Sequence, residues 1–442
     1  MPKGLHTDFD AEGTLFRADL YFFLYICIMV VKGMKWYNTL QFIVLCLVFA
    51  LVAVDWSVGL WAMVTLAVGT IVKIVAERCV GNPSLDTPLR VALLAVVAYW
   101  LCNVVSMLWS SNMNNAMDVV TRKAVMLIAP MCVLLSDTSY IKETHLRTLF
   151  YALLLAIGGL FVYDWIIGTF EDKNHTYVAM YILPTAAFIY HELALRRRAM
   201  PLWQRLALYV ATVMTIVFII YIDSRTGILC LYGIEVLCGV HLALNRKWWH
   251  GALLALLLVG LTFTAEKTLP NHNSRLPIAS VAAPEPASVA EPTADTVAVV
   301  APAYGKYSDA RMAINETAVK CIVDKPVFGY GVGDYHDVLR ERFGTEGYQS
   351  LKEHHLNAHN QYTETTLAIG VVGLLVMLFW LVMPLYIAWR RKAGFWEVLV
   401  LTFIVMFSLL FESILERQMG MQFVALLYAI MILIICRYEV SR

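Results

Sequence analysis

Apolar runs of roughly 20 residues, the length a helix needs to cross a bilayer, recur along this 442-residue chain. They lie near residues 39–54, 57–76, 90–109, 119–136, 148–168, 177–194, 206–222, 226–244, 250–264, 367–388, 396–412 and 420–436, which gives about 12 candidate spans. A further run, Leu20 to Val31, is short: it either pairs with the next segment to cross or lies at the interface. The expected fold class is therefore an all-α polytopic membrane protein.

One long stretch breaks the pattern. It divides the chain into N-terminal transmembrane helices (1–264), a large external loop (265–366) and C-terminal transmembrane helices (367–442). Within the loop, 277–302 is an Ala/Pro/Val run that cannot build a core and reads as flexible linker. Residues 304–366 have a different character and form the expected helical, catalytic part. Ser308 to Val323 has helical spacing, with Ala310, Ala313, Ile314, Ala318 and Ile322 apolar and Ser308 or Asp309 placed to cap it. Asp324-Lys325-Pro326 ends that helix. Gly329-Tyr330-Gly331-Val332-Gly333 predicts a tight loop, Asp334 to Phe343 a second short helix, and Leu356 to Thr366 the approach to the membrane.

Basic residues fix the orientation. Arg196-Arg197-Arg198 with Arg205, Arg246-Lys247, Arg390-Arg391-Lys392, and Arg437 with Arg442 all fall on one side if every span crosses once, and Lys32 and Lys35 agree. That side should be cytoplasmic. The large loop then faces the opposite compartment, the periplasm in a bacterium. Composition supports a membrane protein: 60% of residues are hydrophobic and 15% charged, against about half and a quarter for soluble domains. A net charge of +1 argues against a nucleic-acid partner. Of nine cysteines only Cys321 lies in the large loop, so no disulfide framework is implied there. The mixed, polar first 19 residues predict no cleavable signal peptide.

Several residues on the external side have chemistry to offer. Arg225, in Asp223-Ser224-Arg225-Thr226-Gly227, sits at a bilayer edge; it either grips a phosphate with a bidentate fork or snorkels and pairs with Asp223. Arg311, a cation near a helix N-terminus, is electrostatically misplaced, which points to an external anion, although a solvated surface arginine is the plainer reading. His359 follows His354 and His355. His355 and His359 share a helix face at i, i+4, as metal ligands do, but the glutamate of an H-E-x-x-H motif is absent. His359 otherwise reads as a general base or as a loop histidine with no role. The N–H groups of the Gly329 to Gly333 run, Gly331 and Gly333 among them, could cradle a phosphate, though such a run is more often a turn. Asn174-His175-Thr176-Tyr177 and Trp109-Ser110-Ser111 either line a sugar site or cap helices at the interface. Arg122 and Lys123 either attract a lipid phosphate or snorkel.

In this order the motifs resemble the O-antigen ligase family, whose domain is shared with O-antigen polymerases and some protein-glycosylating oligosaccharyltransferases. The resemblance rests on Ser224-Arg225-Thr226-Gly227; on Arg311 ahead of Lys325-Pro326-Val327-Phe328-Gly329-Tyr330-Gly331-Val332-Gly333; and on His359-Asn360-Gln361-Tyr362 leading into Ile369-Gly370-Val371-Val372-Gly373-Leu374. It implies a GT-C-like architecture in the bacterial inner membrane, with its active site facing the periplasm. It implies metal-independent, inverting transfer of a glycan from undecaprenyl diphosphate to lipid A-core, with no cofactor. Arg225 and Arg311 would hold the diphosphate and His359 would activate the acceptor hydroxyl. Asn360, Gln361, Gly331, Gly333, Asn174, His175, Tyr177, Arg122 and Lys123 would contribute to substrate binding. The same donor chemistry would serve a polymerase or a protein glycosyltransferase. A transporter or a non-catalytic scaffold is the alternative of another class. A transporter should show internal repeats and broken spans at matching positions, and no obvious repeat is present.

Overall fold

In the computed structural model the described residues are 36–77, 80–167, 175–195, 200–222, 224–245, 256, 259–260, 263, 307–353 and 357–440. Every regular element among them is a helix. In chain order these are α1 (Trp36–Val54), α2 (Trp56–Glu77), α3 (Thr87–Ser106), α4 (Met113–Lys123), α5 (Ile128–Leu135), α6 (Glu143–Ile167), α7 (His175–Leu195), α8 (Leu202–Tyr221) and α9 (Arg225–Leu244). After the large loop's linker come α10 (Tyr307–Asp324), α11 (Tyr335–Thr345), α12 (Gln349–Glu353), α13 (Gln361–Arg391), α14 (Phe395–Phe411) and α15 (Gln418–Val440). Eight of these are long and apolar enough to cross a membrane. The linker at 277–302, the segment 20–31 and most of the candidate span at 250–264 lie outside the described residues.

The candidate span at 119–136 is a broken rod. It runs from α4 through a 3-10 turn (Ala124–Leu127) into α5. Pro130 supplies the cause: it has no N–H to give Met126 and its ring presses on the preceding turn, so the backbone tightens there. The candidate span at 396–412 is the 17-residue α14.

α15 is the axis of the bundle. Its spanning segment is 94% buried, and a helix that is apolar all round belongs in the interior. Phe423 stacks on Phe49 at 6.0 Å and meets Tyr181 edge-on at 4.5 Å. Tyr428 packs on Trp380 of α13 and donates to the Ala92 carbonyl at 2.6 Å, while Trp380 stacks on Tyr99 of α3 at 5.4 Å. Loop contacts agree with alternating crossings. At one end Arg391 bonds Asp86, Arg437 bonds the Thr138 carbonyl, and Lys73 donates to the Asp137 carbonyl. The opposite end holds α10–α12 and the six-residue connection Glu412–Arg417, which sits directly over the start of the axial helix.

The glycine run is joined to a break in α13. Gly370 has φ +70° and ψ −174° inside that helix, a region open essentially to glycine alone. Opening the helix frees backbone groups that a membrane edge leaves without partners, and the loop fills them. Tyr330 N–H and Gly331 N–H donate to the carbonyls of Leu367 and Ala368, both at 2.9 Å. In return, Val371 N–H donates to the Pro326 carbonyl at 2.9 Å and Val372 N–H to that of Val327 at 3.4 Å. A Cβ on Gly370 would stand 2.0 Å from the Val327 oxygen, and one on Gly329 2.5 Å from the Leu367 oxygen. Gly370→Ala should therefore cost at least the backbone strain, about 1–3 kcal/mol, and unseat the loop. Hydrogen exchange at Tyr330, Gly331 and Val371 should accelerate together; unchanged protection at these amides would show that the clasp is not what holds the loop.

Candidate functional site

The end of the bundle that carries α10–α12 concentrates buried charge around the connection between α14 and α15. Glu416 is the centre. Its Oε1 accepts from Lys123 Nζ at 2.7 Å and from Gln361 Nε2 at 3.2 Å, and its Oε2 accepts from the Tyr335 hydroxyl at 3.2 Å. Lys123 Nζ also donates to Asn103 Oδ1 at 3.1 Å. Gln361 closes the circle: its Oε1 accepts from Leu415 N–H at 2.7 Å and its Nε2 reaches Thr365. The Lys123 side chain is 2% exposed and that of Glu416 10%. Burial pushes the Glu416 carboxyl up, but Lys123, by charge and hydrogen bond, and the donors around it bring it below its ordinary value.

Beside this core stands a second layer that carries His359. His359 is one of two non-glycine residues with positive φ among the described residues, at +47°. Its backbone is set by short-range bonds: His359 N–H donates to Asn357 Oδ1 at 3.2 Å, and Asn360 caps α13 by accepting from Tyr362 and Thr363 N–H. Glu364, fully buried, accepts from Ala358 N–H at 2.9 Å and from the Ser413 hydroxyl at 3.4 Å, with His336 Nε2 3.6 Å from its other oxygen. The His359 imidazole places Nδ1 3.5 Å from Glu412 Oε1. Burial raises the Glu412 carboxyl, but His359 and then the charge of Arg311 hold it below the ordinary carboxylate value. Both loop carboxylates are thus depressed. Their stabilisation is fully present above the unfolded value of about 4.3 and is lost as pH falls through their folded values.

The residues expected from the sequence divide accordingly. His359 stands beside Glu412, and the charge of Arg311 acts on the same carboxylate. Arg225 is the exposed first residue of α9, whose N-cap Ser224 accepts from Gly227 N–H at 3.1 Å. That turn lies close to the site: Gly227 abuts Ala179, and Tyr177, earlier in α7, donates to the Ser413 carbonyl at 3.4 Å. Other expected contacts are already engaged with protein. In place of a phosphate cradle, Gly331 N–H is held by Ala368, and Gly333 N–H by Ser110 Oγ at 3.1 Å. Asp334 accepts from Ser111 and Asn112 N–H, which ties Trp109-Ser110-Ser111 to the loop rather than to an open groove. Asn360 is a helix cap, Gln361 is wholly buried inside the network, and Tyr177 is 1% exposed. Lys123 neither snorkels nor faces lipid, because Glu416 holds it inside; Arg122 pairs with Asp118 at 3.0 Å on the surface. Asn174, the His175 side chain, His354 and His355 lie outside the described residues, so the i, i+4 histidine pair falls there too.

Residues 210–378 match the family model described as O-Antigen ligase. The chain carries an O-antigen ligase domain. The match runs from α8 into the middle of α13 and so contains Arg225, Arg311, the glycine clasp and His359. It supports a membrane glycosyltransferase of the ligase and polymerase type. No curated protein matches the chain. Glu412, Glu416 and Lys123 lie outside the matched segment yet bind residues within it, so the ligase domain is completed by helices on either side.

Sequence reasoning passed over Glu412, Glu416 and Glu364. The available signal was three carboxylates at the ends of otherwise apolar helices, where an acidic residue is costly without a partner. Lys123→Met should strand the Glu416 charge and cost about 3–5 kcal/mol, whereas Lys123→Met with Glu416→Leu should recover much of that loss. Thermal unfolding of the four proteins in one detergent tests the coupling; additive losses would mean that the pair is not an energetic unit.

Proposed function

We propose that the chain transfers a glycan from undecaprenyl diphosphate to lipid A-core, as an inverting, metal-independent O-antigen ligase of GT-C-like architecture in the bacterial inner membrane, working at its periplasmic face. The observation that carries the reading is the His359–Glu412 pair: an imidazole Nδ1 3.5 Å from a buried carboxylate that Arg311 also influences. A carboxylate at Nδ1 favours the tautomer with a proton there, leaving Nε2 free to accept one.

In this reading Nε2 takes the proton of an acceptor sugar hydroxyl as its oxygen attacks the anomeric carbon from the face opposite the leaving group. The bond from that carbon to the diphosphate oxygen breaks, and the diphosphate carries away the electron pair. Arg225 and Arg311 would stabilise this anion. Fixed cations suffice because a diphosphate is already a competent leaving group. The imidazolium, steadied by Glu412, returns its proton to solvent before the next turnover. A lipid-linked donor accounts for a site at the rim of the bundle, and the Lys/Arg distribution supports the periplasmic face.

Purified protein given undecaprenyl-diphosphate glycan and lipid A-core, without added metal, should produce a lipid A-core band of reduced mobility. His359→Ala should lower kcat by roughly 10²–10⁴, Arg225→Ala and Arg311→Ala each by roughly 10²–10³, and Glu412→Gln by about tenfold or more. Full activity in any of these would remove that residue from the mechanism. A lengthening ladder on the donor lipid would instead make the chain a polymerase. Activity lost to a chelator and restored by zinc would overturn metal independence.

A further inference from the structure

α10 carries apolar residues on two opposite sides. Ile314, Ala318 and Cys321 share one side, and all three are buried in the protein core. Met312, Val319 and Val323 fall within about 40° of one another on the other side, at 3.6 residues per turn. They are 66%, 55% and 71% exposed. One apolar stripe is enough to seat a helix on its own protein, and the inner side supplies it. The outer stripe has no such use. Beside it runs an ionic pair, Glu316 with Lys320 at 3.1 Å.

The exposed apolar surface continues past the end of the helix. Val327 and Phe328 are both exposed. The Val327 carbonyl accepts from Val372 N–H, so this pair rides on α13 beside Val371 and Val372, which are exposed in turn. Phe328 meets the Trp109 ring edge-on at 6.0 Å. The two neighbouring spans set the depth of this junction. α13 has 31 residues, about 46 Å at 1.5 Å each, which exceeds the hydrocarbon core of about 30 Å. Its basic end, Arg390-Arg391, marks one boundary of that core. Counting about 20 residues back from there places the other boundary near residue 370, at the level of Val371 and Val372. α3 gives the same level: its apolar span Thr87–Trp109 ends in the tryptophan that Phe328 touches, and tryptophan favours the boundary between hydrocarbon and headgroups.

We propose that α10 is an interfacial helix whose outer stripe, together with Val327 and Phe328, lies in the bilayer leaflet at this end of the bundle. Continuity selects lipid as the occupant: Val327 and Phe328 prolong the lipid-facing sides of α3 and α13, and Val323, Val319 and Met312 prolong that pair along α10. A narrow apolar stripe flanked by charge suits a helix lying at the surface of a bilayer rather than crossing it. The same helix bears Arg311, whose charge acts on Glu412, so the leaflet surface reaches towards the histidine. The assignment concerns this surface alone and does not depend on the transfer reaction.

The full chain in proteoliposomes that contain a phosphatidylethanolamine with a diazirine on its acyl chain tests the assignment. After irradiation and digestion, mass spectrometry should find lipid adducts on residues 312–323 as well as on the peptide with Leu375, an exposed residue of α13. Val319→Glu combined with Val323→Glu, both at exposed positions, should lower the adducts on 312–323 by about tenfold or more, the scale of withdrawing one valine side chain from hydrocarbon. Those at Leu375 should not change. Adducts at Leu375 with none on 312–323, or adducts on 312–323 that survive the double substitution, would overturn the assignment. A benzophenone side chain in place of Val319 should likewise capture lipid. Capture of residues 265–306, or of a second copy of the chain, would overturn the assignment by showing that protein covers the stripe.

Discussion

A carboxylate held out of water among apolar helices must find compensation on the spot, and the end of this protein that carries α10–α12 is arranged around that requirement. Glu416 sits at the head of the most buried helix of the bundle. Removed from solvent, it needs a cation and several donors, and they come from distant parts of the chain: Lys123 from α4, Gln361 from the start of α13 and Tyr335 from α11. An ion pair of this kind adds little to stability compared with a well-packed apolar substitute. It does restrict the ways in which α4, α11, α13 and α15 can be brought together, because an alternative packing would leave a buried charge alone.

That restriction is what makes the neighbouring histidine usable. His359 follows Ala358, whose N–H is fixed by Glu364, and precedes Asn360, the cap of α13. Its position is therefore inherited from the helix below. Glu412 faces it from the connection that Gln361 anchors through Leu415. Two carboxylates four residues apart in one short loop thus serve different ends. Glu416 faces inward and fixes the loop, while Glu412 faces the imidazole and shares the influence of Arg311.

Much of the framework could be read from the order of apolar runs, because a bilayer-spanning helix announces itself by length and composition alone. Arg225 at a helix start and His359 before a long apolar helix were legible for the same reason: each interrupts a strong pattern. The glycine run was legible as a motif but not in its role. An anion nest and a close backbone crossing both demand residues without a Cβ, and only the partners of the N–H groups tell them apart. Asn360 and Gln361 look available to a substrate because they are polar residues beside a histidine; the sequence does not reveal that the fold also uses one as a helix cap and the other as a buried link. Glu412 and Glu416 were hidden for the opposite reason: a lone acid between two spans looks like ordinary interfacial punctuation until its long-range partner is known.

The break at Gly370 also bears on the order in which the protein is assembled. A helix delivered to a bilayer is normally self-sufficient, with every backbone group satisfied along its own length. α13 is not, since its opened turn must be completed by residues 326–331, made earlier in the chain. The helical bundle and the segment ahead of α13 therefore cannot mature as independent modules. Residues 326–331 have to be in place when α13 arrives, so seating this segment becomes a precondition for finishing the helix that follows it.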